Sequence, residues 1–119
     1  MACKPGDLVL IPFPFSDLQS AKKRPIMVLT PPDRHADFIG LAVTSVAQTN
    51  HALPVSAADL VEGALPKACW IRCDKVFTLS ESSIVKTFGV ISPQALQCVL
   101  QGLCSVVGYA SPHQPDDPL

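Results

Sequence analysis

Three short clusters carry side chains able to act on a charged substrate. Cys69-Trp70-Ile71-Arg72-Cys73-Asp74 alternates in the manner of a strand. Residues two apart on a strand share a face and lie about 6.5–7 Å apart along it. Trp70, Arg72 and Asp74 are therefore expected on one face, with Cys69, Ile71 and Cys73 toward the core. An aromatic ring, a guanidinium and a carboxylate on an open face suit a nucleotide. The ring stacks on a base, the carboxylate takes a proton, and the guanidinium stabilises phosphate charge. A surface ion pair beside a half-buried tryptophan has the same pattern. Lys22-Lys23-Arg24 precedes an apolar run, and the planar fork of arginine matches two phosphate oxygens; a solvated loop has the same composition. Thr44-Ser45 closes another apolar run, where hydroxyls bind phosphate oxygens or make a local turn bond.

The histidines offer less. His35 lies among Asp33, Arg34 and Asp37, a looser set than a spaced metal motif. His51 and His113 read as loop and tail residues, and nothing in the sequence pairs two histidines as acid and base. A Gly-rich phosphate loop, a nucleophile elbow and a second paired acid are all missing. No metal and no cofactor is expected.

The elements that must position these residues are short. Asp7–Pro12, Pro25–Thr30, Phe38–Ser45 (with Gly40 as a bulge), Leu53–Val55, Cys69–Cys73, Val76–Leu79 and Ile84–Ile91 read as strands, with Phe13–Lys23 as a polar loop. Ala57–Leu60 is long enough for one helical turn. Short strands separated by frequent turn signals indicate a sandwich or small barrel. A helix is predicted over about 93–107: Ser92 caps it, Pro93 fits its first position, and Gly108 ends it. Leu96, Val99, Leu100, Leu103 and Val107 recur along it at helical spacing. Gly102 inside it costs up to about 1 kcal/mol relative to alanine, which points to a close packing contact.

The chain has 119 residues, 48% of them hydrophobic and 16% charged. A single domain over 1–109 is expected, with a disordered tail over 110–119. Its 12 prolines exclude a helical bundle, because proline breaks helix interiors. The net charge of −1, from 9 basic and 10 acidic residues, gives no broad attraction to nucleic acid. A local patch is the remaining electrostatic route. No segment approaches the ~20 apolar residues of a membrane span, and the prolines at 12 and 14 break the early apolar run, unlike a signal-peptide core. The five cysteines form no C-x-x-C pair and read mostly as small buried hydrophobes in a cytoplasmic chain.

Read together, the pieces resemble a known family. Gly6-Asp7-Leu8-Val9-Leu10-Ile11-Pro12-Phe13-Pro14-Phe15, a polar loop, and Lys23-Arg24-Pro25-Ile26-Met27-Val28-Leu29 resemble the opening of the MazF/PemK toxins. Thr44-Ser45 matches the family's threonine-serine position, and Arg72-Cys73-Asp74 is similar to the PemK/Kid branch. The resemblance runs over about residues 5–108. It implies a mainly β (α+β) fold: a small SH3-like antiparallel β-barrel with a C-terminal α-helix, of the CcdB/Kid/MazF type. It also implies a homodimer, and a cytoplasmic, metal-independent endoribonuclease that cuts single-stranded RNA (mRNA) and is held inactive by a cognate antitoxin.

Carried over residue by residue, Arg24, Thr44, Arg72 and Asp74 are the catalytic positions. Gln19, Ser20, Lys22, Lys23, Ser45 and Trp70 are expected to contact RNA. The implied reaction is attack by the 2′-hydroxyl on the adjacent phosphorus, giving a cyclic phosphate and a 5′-hydroxyl. The first loop departs from the pattern, lacking the branch's histidine and its glutamine–glycine run. The other readings are a toxin-fold protein that binds a protein target such as gyrase, and an inactive RNA-binding relative.

Overall fold

The computed structural model describes residues 2–14 and 21–109. Among these residues the chain forms β1 (Asp7–Pro14), β2 (Ala21–Val28), β3 (Asp37–Thr44), β4 (Ala52–Val55), β5 (Leu60–Gly63), β6 (Cys69–Ser80), β7 (Lys86–Ile91) and α1 (Pro93–Val107). The strands pair antiparallel in the order β4-β6-β3-β2-β1-β7-β5. This is a mostly antiparallel half-barrel with one C-terminal helix, the fold expected from the sequence. Among the described residues, no helix is long and apolar enough to cross a membrane. The expected tail over 110–119 lies outside the described residues.

Several boundaries differ from the sequence pattern, each for a physical reason. The predicted loop over Phe13–Lys23 is strand at both ends, with Pro12 opposite Lys23, Phe13 opposite Lys22 and Pro14 opposite Ala21. β7 accompanies β1 only from Asp7 to Leu10. Beyond that point no strand among the described residues pairs with this edge of β1, and a proline's missing N–H there costs no ladder bond. The expected bulge at Gly40 is not there. Gly40 pairs regularly with Val28 and Phe77, and a Cβ on it would run into Ile26 Cγ2. It is a glycine because another strand's side chain occupies that space.

The irregularity falls one step further along. The β3–β6 register passes from Leu41 opposite Val76 to Val43 opposite Ile71. Arg72 to Lys75 therefore lie between pairs that enclose only Ala42 on β3. The two strands expected over Cys69–Cys73 and Val76–Leu79 are one strand, β6, carrying this bulge.

Both faces of the sheet are covered. Leu8, Met27, Leu41, Val43, Val55, Ile71, Cys73, Ile91 and Val99 form one buried cluster. Cys3, Val9, Ile11, Ile26, Val28 and Phe38 form the other. The pleat explains the division, since neighbours such as Ile26 and Met27 point to opposite faces. α1 covers the first cluster. Its Ser92 Oγ accepts a hydrogen bond from Ala95 N at 3.1 Å, and Gly108 ends it with φ of 80°, so both predicted caps form. Gly102 makes the expected close contact: a Cβ there would meet Cys73 Sγ at 2.8 Å.

Asp7 is buried, at 5% exposure. Its carboxylate accepts the Lys4 backbone N–H at 3.1 Å and Lys4 Nζ at 2.9 Å. Removing a buried acceptor strands its donor at a cost of about 1–3 kcal/mol. Asp7→Ala is therefore expected to lower unfolding stability by about that amount in a urea titration. Lys4→Ala, which leaves the backbone bond in place, is expected to change stability much less.

Candidate functional site

β2, β3 and β6 lie side by side and bring the predicted clusters to one end of the sheet. On β6 the expected alternation holds. Ile71 and Cys73 are buried at 0% and 1% exposure, while Trp70 and Arg72 are half-buried and Asp74 is exposed. Arg72 and Asp74 meet in the two-pronged geometry that a guanidinium makes with a carboxylate. Nε donates to Oδ1 at 3.2 Å and Nη2 to Oδ2 at 3.1 Å. The hydrogen bond from Arg72 is the main reason that Asp74 titrates below the ordinary carboxylate range, and the nearby charges of Arg72 and His51 push the same way. Asp74 is therefore an ionised acceptor at neutral pH.

Trp70 sits opposite Thr44 on β3 and Pro54 on β4. Cross-strand partners share a face, so Thr44 joins Trp70 and Arg72. The Thr44 Oγ1 accepts the Val46 N–H at 3.1 Å, the local turn bond that was the alternative role for this residue. A threonine hydroxyl has one proton to give and two lone pairs, so accepting this bond still leaves its O–H to donate.

Beside this face an open cleft of about 610 Å³ brings Lys22, Lys23 and Arg24 of β2 together with Thr44 and Ser45. Leu10, Pro25, Val43, Leu65 and Phe88 supply its apolar surface, and Lys67 adds a fourth cation. Lys22, Lys23 and Arg24 are all exposed. Cationic edges with an apolar floor suit a ligand that has both phosphates and flat rings.

Of the ten predicted site residues, the cleft gathers Lys22, Lys23, Arg24, Thr44 and Ser45. Trp70, Arg72 and Asp74 stand on the next strand and are not part of its lining. Gln19 and Ser20 lie outside the described residues. Sequence reasoning missed Lys67 and Phe88, which carry no local signal. They come from the segment before β6 and from β7, and only the closing of the sheet brings them to β2. His51, expected in a loop, does lie just before β4. His51 holds a left-handed φ of 55°, and its carbonyl accepts the Cys73 N–H at 2.8 Å.

Among the described residues, no three His, Cys, Asp or Glu side chains form a metal-holding group. The cysteines are all free thiols. Cys3 and Cys73 are buried as expected, whereas Cys98 is exposed and Cys69 and Cys104 are half-buried. Burial pushes the Cys73 thiol up from its ordinary range, and the carboxylate of Asp74 adds to this.

The comparisons with known proteins agree with this architecture. Residues 4–107 match the model of a family described as the PemK-like, MazF-like toxin of type II toxin–antitoxin systems. No curated protein matches the chain. Three solved structures are similar along most of the chain. An endoribonuclease in complex with its cognate antitoxin from a mycobacterial species has a TM-score of 0.69 at 16% identity, covering 92% of this chain and 99% of that one. The MazE–MazF complex of Deinococcus radiodurans has a TM-score of 0.70 at 21% identity, covering 92% and 99%. The toxin MazF-mt6 of Mycobacterium tuberculosis has a TM-score of 0.68 at 15% identity, covering 88% and 99%. At these identities the likeness is one of fold.

Proposed function

The chain belongs to the PemK-like, MazF-like toxins of type II toxin–antitoxin systems, and on that premise we propose that it is an endoribonuclease that cuts single-stranded RNA at short sequences. The observation that carries this reading is the two-pronged Arg72–Asp74 pair on the strand beside a cleft edged by Lys22, Lys23, Arg24 and Lys67. The similar fold described as an endoribonuclease in complex with its cognate antitoxin supports it.

The nucleophile in the proposed reaction is the substrate's own 2′-hydroxyl, so no metal-activated water is required. Arg72 passes from Asp74 to the scissile phosphate, where its fork spans two oxygens. Asp74, released from its partner, becomes a better base and takes the 2′-hydroxyl proton. Arg24 and Arg72 stabilise the charge that grows on the phosphorane-like centre, and Thr44 and Ser45 hold phosphate oxygens. Lys22, Lys23, Gln19 and Ser20 engage the flanking backbone, and Trp70 offers a stacking surface. The RNA must be unpaired, because a duplex hides its base edges. Residues 1–109 act as one unit in this reading, as a cytoplasmic homodimer restrained by a cognate antitoxin laid over the cationic cleft.

The test is purified protein with a long single-stranded RNA in EDTA, with the product ends mapped. Cuts at a restricted sequence, bearing cyclic phosphate and 5′-hydroxyl ends, are expected. Arg24→Ala is expected to slow them by at least about tenfold, the loss of one charge-assisted contact. Intact RNA together with growth arrest on expression would replace this reading with a protein target. Intact RNA and normal growth would leave an inactive relative.

A further inference from the structure

When the P–O5′ bond breaks, the departing oxygen must take up a proton. A guanidinium keeps its protons to about pH 12 and above, and a hydroxyl such as that of Thr44 is a still poorer acid near neutrality. Asp74, ionised against Arg72, is an acceptor. None of the groups assigned so far is suited to donate.

His51 lies on the chain segment next to the Arg72–Asp74 pair. It immediately precedes β4, whose first residue, Ala52, is the register partner of Arg72. Its carbonyl binds the Cys73 N–H at 2.8 Å, which fixes the His51 backbone at the rung between Arg72 and Asp74. The left-handed φ of 55° turns the chain there, and the residue is exposed. A positive charge on His51 acts on the Asp74 carboxylate. Imidazole is also the side chain that exchanges protons near neutral pH.

We propose that His51 is the general acid of the cleavage reaction and delivers a proton to the leaving O5′. This assignment rests on the ribonuclease reading above. The 2′-O–H proton passes to Asp74 as O2′ bonds to phosphorus. The P–O5′ bonding pair leaves with O5′, which takes a proton from the imidazolium. The products are a cyclic phosphate, a 5′-hydroxyl, neutral His51 and protonated Asp74, and exchange with water restores both groups.

The experiment compares wild type with His51→Asn, because asparagine also accepts the left-handed backbone. Two RNAs are used: one natural, and one with a bridging sulfur in place of O5′ at the cleaved bond. A thiolate leaves without a proton, since thiol acidity lies near pH 8.5. His51→Asn is expected to slow the natural RNA by about 10²-fold or more and to cut the sulfur-bridged RNA at nearly the wild-type rate. Equal slowing on both substrates would mean a merely positional role and would overturn the assignment. No slowing on the natural RNA would overturn it too. A wild-type protein that leaves both RNAs intact would bring down the ribonuclease reading and this assignment with it.

Discussion

Arg72→Ala is expected to slow RNA cleavage by about 10³-fold, the cost of deleting a preorganised donor at developing charge. It should leave the fold intact. Arg72 and Asp74 have side-chain exposures of 27% and 28%, and an ion pair in that setting adds little to stability. The guanidinium performs two tasks. It grips Asp74 through two nitrogens, which keeps the carboxylate ionised, and it supplies the fork that receives the phosphate. Arg72→Lys keeps the charge but loses the fork, so most of the loss should remain. Asp74→Ala should slow the reaction comparably.

The pH profile separates these roles. Asp74 is useful only when ionised, so kcat/KM should fall as pH drops through its pKa. In the wild type that pKa lies below the ordinary carboxylate range because of Arg72. Without Arg72 it rises toward the ordinary carboxylate range, and the acid limb should move to higher pH. A rate within a few-fold of wild type, or an acid limb that stays in place, would remove Asp74 and Arg72 from the chemistry.

Gly102→Ala is expected to destabilise the chain and disable the site together. On helix propensity alone the change should gain about 1 kcal/mol. The structure reverses the sign. The new Cβ would stand 2.8 Å from Cys73 Sγ, and Cys73 is 1% exposed. Overpacking of this kind costs typically about 1–3 kcal/mol. Cys73 lies between Arg72 and Asp74 within the β6 bulge, so a shift that relieves the clash moves both. A misplacement of about 1 Å can cost about 10²-fold in rate. Thermal melting and the cleavage rate should fall together, and Cys73→Ala placed alongside Gly102→Ala should recover part of both by making room. A higher melting temperature for the single variant would show that the contact yields at no cost.

Much of this fold and part of its site were legible in the sequence. The helix was, because its determinants are local: Ser92 and Gly108 at its ends, and apolar residues at 3.6-residue spacing between them. The Arg72–Asp74 pair was legible because two residues on one strand meet whatever the rest of the chain does. Strand extents were less so. Prolines at 12, 14 and 25 mask the β1–β2 hairpin, and β5 was missed because Leu60–Gly63 contains one half-buried residue and no alternation. Its pairing with β7 makes it a strand.

The sequence by itself thus determined the fold class, the family likeness and the face on which Trp70, Arg72 and Asp74 stand. These follow from side-chain chemistry and from backbone periodicity, which act over a few residues. Only the tertiary structure decided that Lys67 and Phe88 join Lys22, Lys23 and Arg24 at one cleft. It also decided that the bulge falls opposite Ala42 rather than at Gly40, and that His51 comes to the rung between Arg72 and Asp74. Those placements depend on register between strands far apart in sequence, and that register is set by packing two apolar clusters against opposite faces of one sheet.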